Sequence, residues 1–514
     1  MARTLVPHRH AQSSIRSWSP LTLAVTLVAS LALVIGVDSA ALQPSADAAV
    51  PAPVSETQGR PNVVFITTDD QRADDMRWMP YTRRLLGGNG VTFENGLSPH
   101  PLCCPARAEF VSGQYGQNTG VHHNKGKHGG YRALDDPRNT VGRWLDAAGY
   151  QTAMVGKYLN GYHADKASRS GWDHWNPSVR GVYSFTDTVF YNDGKPRRHT
   201  QHVDDVVTSY AAGYIREFSR KDAPFFVWAS DLAPHDAVFK GRKTPPVAAA
   251  RHRGTMKGID IPSLRAPSFD RPVVDGPSKR RDAGFKAEIR KRHVKRIESL
   301  QAVDEGVRTI VRTLRRTGEW DHTYVVFTSD NGFLLGEHGL TSKNYIFEEA
   351  LDVPMIVKVP GQRRGTTSPV PVTSVDLAPT FADLADATPQ RKVDGVSFAP
   401  LLTGGTVAWR DTQLIQTGTD AWSPEPGWDT RGVRTDRYTY GKRVRTGSEQ
   451  LYDRSIDPFQ TVNLAFRPEY QQVLEELRQR TELLKECAGS GCWQPFAAPP
   501  DPEPLEEPIG RPRS

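Results

Sequence analysis

Five short apolar runs punctuate the chain: Asn62–Thr68 (NVVFITT), Thr152–Val155 (TAMV), Pro224–Ala229 (PFFVWA), Tyr324–Phe327 (YVVF) and Met355–Val359 (MIVKV). Runs this continuous, without polar alternation, suit strands buried on both faces. Between the third and fourth, Ile297, Leu300, Val303, Val307, Ile310 and Leu314 recur at three- and four-residue spacing, and Gly318 follows. That is an amphipathic helix with a glycine stop. Apolar strands separated by helices predict an α/β fold, a mainly parallel sheet with helices on both faces. From about Thr412 the texture changes to short aromatic strands such as Arg437–Tyr440 and Gln450–Tyr452. These predict a smaller antiparallel sheet, accompanied by a helix over Tyr470–Lys485. The stretch Phe239–Arg296, rich in Lys, Arg and Pro, reads as a long surface excursion, either a solvated charged loop or a face for a polyanionic glycan. Gln494–Ser514 carries seven prolines and reads as a disordered or strapped tail.

The first fifty residues have another pattern. Arg3, Arg9 and Arg16 precede an uninterrupted apolar run, Leu21–Val37, and Ala46-Asp47-Ala48 then offers small residues for cleavage. This predicts a secretory signal peptide and a mature chain beginning near Ala49, working outside the cytoplasm without stable membrane association. The alternative is a single N-terminal anchor, since the run approaches the ~20 residues of a spanning helix. With no cysteine in the first hundred residues a lipid anchor is excluded, and with no Arg-Arg pair before the run ordinary secretion is favoured. The expected organisation is a signal peptide over 1–48, a linker over 49–61, a catalytic domain over 62–411, a C-terminal α+β subdomain over 412–493 and a proline-rich tail over 494–514.

Composition narrows the class. Of 514 residues, 38% are hydrophobic and 24% charged, with mean hydropathy −0.53, which excludes a multi-span membrane protein and a largely disordered chain. A net charge of +7 suits an anionic substrate but is too dispersed to be a nucleic-acid footprint. The four cysteines, Cys103, Cys104, Cys487 and Cys492, make neither a disulfide scaffold nor a structural zinc site of usual spacing.

In α/β sheets ligands lie beyond the carboxyl ends of the strands. The first apolar run ends in Asp69-Asp70, the fourth in Asp330-Asn331, and the third is followed by Pro234-His235. Adjacent carboxylates repel unless a cation lies between them, so the two pairs predict a divalent metal held by oxygens. A donor set without sulfur and with little nitrogen favours Ca²⁺ or Mg²⁺ over zinc.

The segment Pro101-Leu-Cys-Cys-Pro-Ala-Arg-Ala-Glu-Phe-Val-Ser-Gly113 contains Cys103-x-Pro105-x-Arg107 and ends in Ser112-Gly113. It resembles the signature of type I sulfatases. Thr67–Asp70, Gly156-Lys157, Ala233–His235, Ser329–Gly332, Lys343, Val353-Pro354, Asp376–Thr380, Asp394-Gly395 and Leu451–Asp453 follow in that family's order. The resemblance runs from about Asn62 to about Trp493. Gly156–Gly161 (GKYLNG), His122-His123 and the Cys487–Cys492 loop are similar to the N-acetylglucosamine-6-sulfatase branch.

The resemblance implies an alkaline-phosphatase-like fold and a secreted sulfuric ester hydrolase. Its substrate would be a sulfated carbohydrate, with N-acetylglucosamine 6-sulfate favoured, or an aryl sulfate. It implies that a separate formylglycine-generating enzyme oxidises Cys103 to formylglycine (3-oxoalanine). One hydroxyl of the aldehyde hydrate would attack sulfur, and the second would release sulfate by collapse to the aldehyde. Asp69, Asp70, Asp330, Asn331 and the group grown on Cys103 would bind Ca²⁺ or Mg²⁺, with Arg107 holding them. Lys157, His235 and Lys343 would surround the sulfuryl oxygens, and His235 or Lys343 would protonate the leaving alcohol.

His122, His123 and Asn160 are candidate sugar contacts. Many sulfatases have a histidine two residues after the lysine, where this chain has Leu159, so His122, His123 and His163 stand as candidate bases for the collapse. Cys104 is expected to be a buried packing residue, and Cys487 and Cys492 to form a disulfide. Two rivals keep the fold: a phosphonate monoester hydrolase or phosphodiesterase, and a non-catalytic glycan-binding relative.

Overall fold

The computed structural model describes residues 59–164, 166–270 and 283–504; the expected signal peptide lies outside them. The described residues fall in one compact unit, Thr57–Ser514. Among them no helix is long and apolar enough to cross a membrane.

Among the described residues eighteen strands form in chain order: β1 (Asn62–Thr68), β2 (Gly90–Phe93), β3 (Gln151–Gly156), β4 (His174–Arg180), β5 (Thr188–Asn192), β6 (Lys195–His199), β7 (Phe225–Ser230), β8 (Ala237–Phe239) and β9 (Arg242–Thr244), then β10 (Thr323–Ser329), β11 (Leu334–Leu335), β12 (Thr341–Ser342), β13 (Met355–Lys358), β14 (Thr366–Ser368), β15 (Thr412–Gly418), β16 (Trp428–Thr435), β17 (Tyr438–Arg443) and β18 (Glu449–Asp453). Ten build the main sheet in the order β14-β2-β13-β10-β1-β7-β3-β4-β5-β6. Its middle, β10-β1-β7-β3-β4, is wholly parallel. The fifth apolar run departs from the parallel series, because β13 pairs antiparallel with β10. The chain between them, Asp330–Pro354, carries β11, β12 and the short helix Glu348–Leu351 and returns along β10 in the opposite direction.

The alternation of β1 shows why its run is apolar throughout. Val63 and Phe65 join the core under the helices Cys103–Ser112 and Leu377–Leu384. Val64 and Ile66 join the opposite core, under the helices Val203–Phe218 and Ala283–Thr317. Each large side chain fully buried this way contributes about 1.5–3 kcal/mol. Phe65 meets Phe110, Trp228 and Phe381 at ring centroid distances of 5.5, 5.7 and 5.1 Å, which fixes the Cys103 helix to the central strand.

The stretch read as a surface excursion is partly helix. Ala283–Thr317 is one helix, and its first turns bury Phe285, Ile289, His293 and Arg296. Lys286, Arg290 and Lys291 between them are exposed on the outer face, so a charge-rich composition concealed a helical period.

The smaller sheet is an antiparallel meander, β15-β16-β17-β18, packed on the helix Gln471–Leu484. Tyr115 and Val375 share its core, so it is continuous with the larger body. The tail is strapped as far as Pro504: Phe496 N–H donates to Asp411 at 3.0 Å, Arg480 lies over the Phe496 ring, and Arg437 pairs with Asp501 at 2.7 Å. Cys487 and Cys492 are disulfide-bonded, with Cα atoms 5.2 Å apart.

Candidate active site

Four adjacent parallel strands end in polar groups at one edge of the sheet. The pairing of Thr68 with Ser329 sets Asp69-Asp70 beside Asp330-Asn331. Asp70 turns through φ 68°, a left-handed conformation that Asp tolerates better than most residues. Its N–H donates to Asp330 Oδ1 at 3.0 Å, tying the two strand ends together. On the other flank, a Cβ at Gly156 would lie 1.9 Å from the Ser230 carbonyl oxygen, so only glycine lets β3 close on β7 there. The next residue, Lys157, enters the site with its N–H on that carbonyl at 3.0 Å.

Cys103 is the first residue of its helix and so stands at the positive end of the helix dipole. Its Sγ lies 3.4 Å from Asp69 Oδ1, and Lys343 Nζ lies 3.2 Å from Sγ. Burial, reinforced by the Asp69 charge, pushes the Cys103 thiol up to about 12, so the unmodified side chain is a neutral thiol and a poor nucleophile. One turn on, Arg107 Nε donates to Asp330 Oδ2 at 2.7 Å, and Nη1 donates to the Lys157 carbonyl and to Ser230 Oγ at 2.7 Å each. Lys157 pairs with Asp69, and Lys343 with Asp70.

His235 Nδ1 is 2.6 Å from the Asp236 carbonyl, which only accepts, so Nδ1 carries the proton and Nε2 faces Asp70 Oδ2 at 3.7 Å. Burial lowers its pKa to about 4 and keeps the ring neutral.

The donor set fits a hard cation. Asp69, Asp70, Cys103 and His235 each bring a ligand atom within 4.8 Å of the others, and all four are buried. Asn331 Oδ1 is buried without a hydrogen-bond partner. Burial raises the pKa of Asp330 to about 6, with the neighbouring Asp69 charge adding to it. A divalent ion on carboxylate and amide oxygens would relieve both features.

The structure thus brings together Asp69, Asp70, Cys103, Arg107, Lys157, His235, Asp330, Asn331 and Lys343. It sets the other candidates further out. The His122 ring stacks on Trp428 of β16 at 3.9 Å, His123 lies in a backbone bridge to Gly129, and His163 is exposed. Asn160 reaches the site through Tyr183, donating to its hydroxyl at 2.6 Å. Cys104 is buried, its N–H bonded to Asn124 Oδ1 at 2.8 Å.

Three residues at the site escaped the sequence reading. Ser230 ends β7 and would have been found by the strand-end rule that found Asp69. Arg296 donates to the carbonyls of Asp70 and Pro234, bracing the metal-site turn against the His235 loop, and was hidden in the misread helix. Tyr183 stacks on His235 at 4.6 Å and lies under Lys157 Nζ at 5.0 Å. It comes from an irregular loop after β4 and carries no local signal.

A parallel α/β sheet whose strand ends gather an oxygen-rich cation site, a helix N-terminus and two lysines defines a hydrolase of anionic esters with the alkaline-phosphatase-like fold. The sulfatase family model matches residues 61–387, and a model described as N-sulphoglucosamine sulphohydrolase, C-terminal, matches residues 336–487. The chain belongs to the sulfatase family and is a sulfuric ester hydrolase. It is 28% identical to N-acetylglucosamine-6-sulfatase of Capra hircus over 85% of each chain. It is 27% identical to N-acetylglucosamine-6-O-sulfatase of Bacteroides thetaiotaomicron, over 84% of this chain and 87% of that one. A solved structure in complex with its substrate D-glucosamine-2-N,6-O-disulfate shares the fold, with TM-score 0.66 and 23% identity over 82% of this chain and 97% of that one.

Proposed function

We propose that this sulfatase acts outside the cytoplasm on 6-O-sulfated N-acetylglucosamine, with Cys103 as the residue matured to formylglycine by a separate enzyme. The observation that carries the reading is the meeting of Cys103, at a helix N-terminus, with Asp69, Asp70, Asp330, Asn331, Lys157 and Lys343 in one buried cluster. The two N-acetylglucosamine-6-sulfatases at 27–28% identity over most of the chain support the sugar. Relatives named extracellular sulfatases, such as that of Drosophila melanogaster, and the apolar run Leu21–Val37 support secretion.

Asp69, Asp70, Asp330 and Asn331 would hold Ca²⁺, or Mg²⁺, which when bound supplies positive charge for the sulfuryl oxygens. Formylglycine at Cys103 would supply, as its hydrate, an attacking hydroxyl and a second hydroxyl for release of sulfate. The remaining work falls to side chains of this chain. Lys157 and Lys343 are ammonium ions, their charge reinforced by Asp69 and Asp70 against burial, and they draw in a sulfate that would otherwise repel a nucleophile. Lys343 holds a proton at neutral pH, whereas His235 is neutral with its proton on Nδ1, so Lys343 is the donor for the departing alcohol and His235 Nε2 is an acceptor beside Asp70. Arg107 neutralises Asp330 and keeps the Lys157 turn in place.

The test is a panel of N-acetylglucosamine 6-sulfate, galactose 6-sulfate, N-sulfated glucosamine and an aryl sulfate, each assayed before and after chelation. N-acetylglucosamine 6-sulfate should give the highest kcat/KM, and chelation should abolish turnover until Ca²⁺ or Mg²⁺ is restored. A preference for the aryl ester overturns the sugar assignment, and full activity in metal-free enzyme overturns the cation site.

A further inference from the structure

Two residues beyond His235 the chain leaves the site as a hairpin of β8 and β9, and the hairpin has no part in the chemistry above. Phe239 pairs with Arg242 across a two-residue turn, Lys240-Gly241, with φ values of 48° and 76°. Two positive φ angles at a two-residue loop make a tight turn matched to strand twist, so the tip is a defined shape. Its base is fixed: Ala237 is buried, and Val238 N–H donates to the Tyr183 carbonyl at 3.0 Å, beside the ring that stacks on His235. Its tip is bare. Phe239 is 66% exposed, and Lys240, Arg242 and Lys243 are exposed around it.

Paired residues share a face, so Arg242 flanks the Phe239 ring, and Lys240 Nζ lies 5.5 Å from the ring centroid. From Ala237 to Ala250 the chain has no acidic residue. Among the described residues none of the three cations forms an ion pair with a carboxylate. An exposed aromatic ring flanked by cations presents an apolar face and positive charge side by side. Sugar rings offer a C–H face to an aromatic, and their sulfate groups offer charge to Lys and Arg. Lys240 is five residues from His235, so it lies within about 18 Å of it, a distance spanned by a short oligosaccharide.

We infer that the β8–β9 hairpin is an accessory binding arm for a multiply sulfated glycan chain. The chain would rest on Phe239 and contact Lys240 and Arg242 through sulfates other than the one being cleaved, with Lys243, paired with Val238, adding charge from the other face of the hairpin. The inference rests on the sulfated-sugar reading above and extends its substrate from a single sugar to a polyanionic chain.

Two experiments separate the inference from that reading. In the first, turnover of N-acetylglucosamine 6-sulfate is compared with turnover of a multiply sulfated hexasaccharide ending in the same sugar. The variant Lys240→Ser/Arg242→Ser/Lys243→Ser should lose about tenfold in kcat/KM on the hexasaccharide, roughly twofold for each exposed cation. It should keep wild-type kinetics on the monosaccharide. The wild-type advantage on the hexasaccharide should shrink as salt is added, and the variant's should not. Phe239→Ser should act in the same direction without changing the salt response. Equal losses on both substrates, or none on either, overturn the arm.

The second experiment needs no turnover. Binding of the same hexasaccharide is measured with Cys103→Ala protein, with and without the three serine substitutions. Weaker binding of the substituted protein supports the arm even if the enzyme prefers another sulfate ester, and unchanged binding overturns it.

Discussion

Arg107 Nε donates to Asp330 Oδ2 at 2.7 Å, and neither side chain is exposed to solvent. The pair joins the Cys103 helix to the end of β10 and so sets the distance between the group to be matured and the cation site. Removing one partner leaves a buried charge uncompensated, which costs about 3–5 kcal/mol. Arg107→Ala should therefore lower unfolding stability by that amount, measured by urea denaturation, and abolish turnover. Arg107→Lys should recover part of the stability but little activity, because a lysine cannot also reach the Lys157 carbonyl and Ser230 Oγ. A loss below about 1 kcal/mol in the alanine variant would show that the pair is dispensable to the fold.

Cys103 and Cys104 are both buried and neutral, yet only Cys103 lies within reach of Asp69 and Lys343. Fragmentation mass spectrometry of the peptide containing both should place the aldehyde at Cys103 and leave Cys104 a thiol. Cys103→Ala should fold with wild-type stability to within about 1 kcal/mol and give no turnover. Two intact thiols in an active preparation would rule out the assignment.

Tyr183 offers one ring to two groups, stacking on His235 and lying beneath Lys157. Tyr183→Phe keeps the ring and loses the hydrogen bond from Asn160, so kcat should stay within about threefold of wild type. Tyr183→Leu removes the ring and should lower kcat about tenfold on monosaccharide and aryl esters alike, since small misplacements of reacting groups are expensive. If Leu and Phe behave identically, the ring does not position the site.

Glu348 begins the short helix that returns the chain to β13, and Arg434 of β16 clamps it with bonds of 2.8–3.2 Å. Burial alone would raise its pKa, but the charges of Arg434 and Arg454 outweigh burial and hold it near 2, below the ordinary 4.5. A depressed carboxylate contributes stability that is complete above the unfolded value and is lost as pH falls through the folded one. The contribution should therefore disappear between pH 4.5 and about 2, to the extent of about 3 kcal/mol. Glu348→Gln should be less stable at neutral pH and show a shallower acid slope in denaturant titrations. Parallel slopes in the two proteins would place the acid sensitivity elsewhere.

The order of the site was legible in the chain because strand ends are local events. An apolar run followed by Asp69-Asp70 or Asp330-Asn331 announces both a buried strand and what stands at its end, whereas Cys103-x-Pro105-x-Arg107 was legible through its resemblance to a family signature. Hydrophobic pattern likewise marked five strands of the main sheet and the helix over Ile297–Leu314. It failed where charge dominated, as at Ala283–Arg296, because lysines and arginines outnumber the apolar residues that mark the buried face. Tertiary structure decided what local pattern cannot hold. β1 lies between β10 and β7, some 260 and 160 residues away, and that adjacency brings Asp330 and Ser230 to Asp69. The antiparallel turn into β13, the Tyr183 ring over His235 and the Arg296 brace depend on long-range packing, in which each contact is chosen by the surface it meets rather than by its own neighbours in sequence.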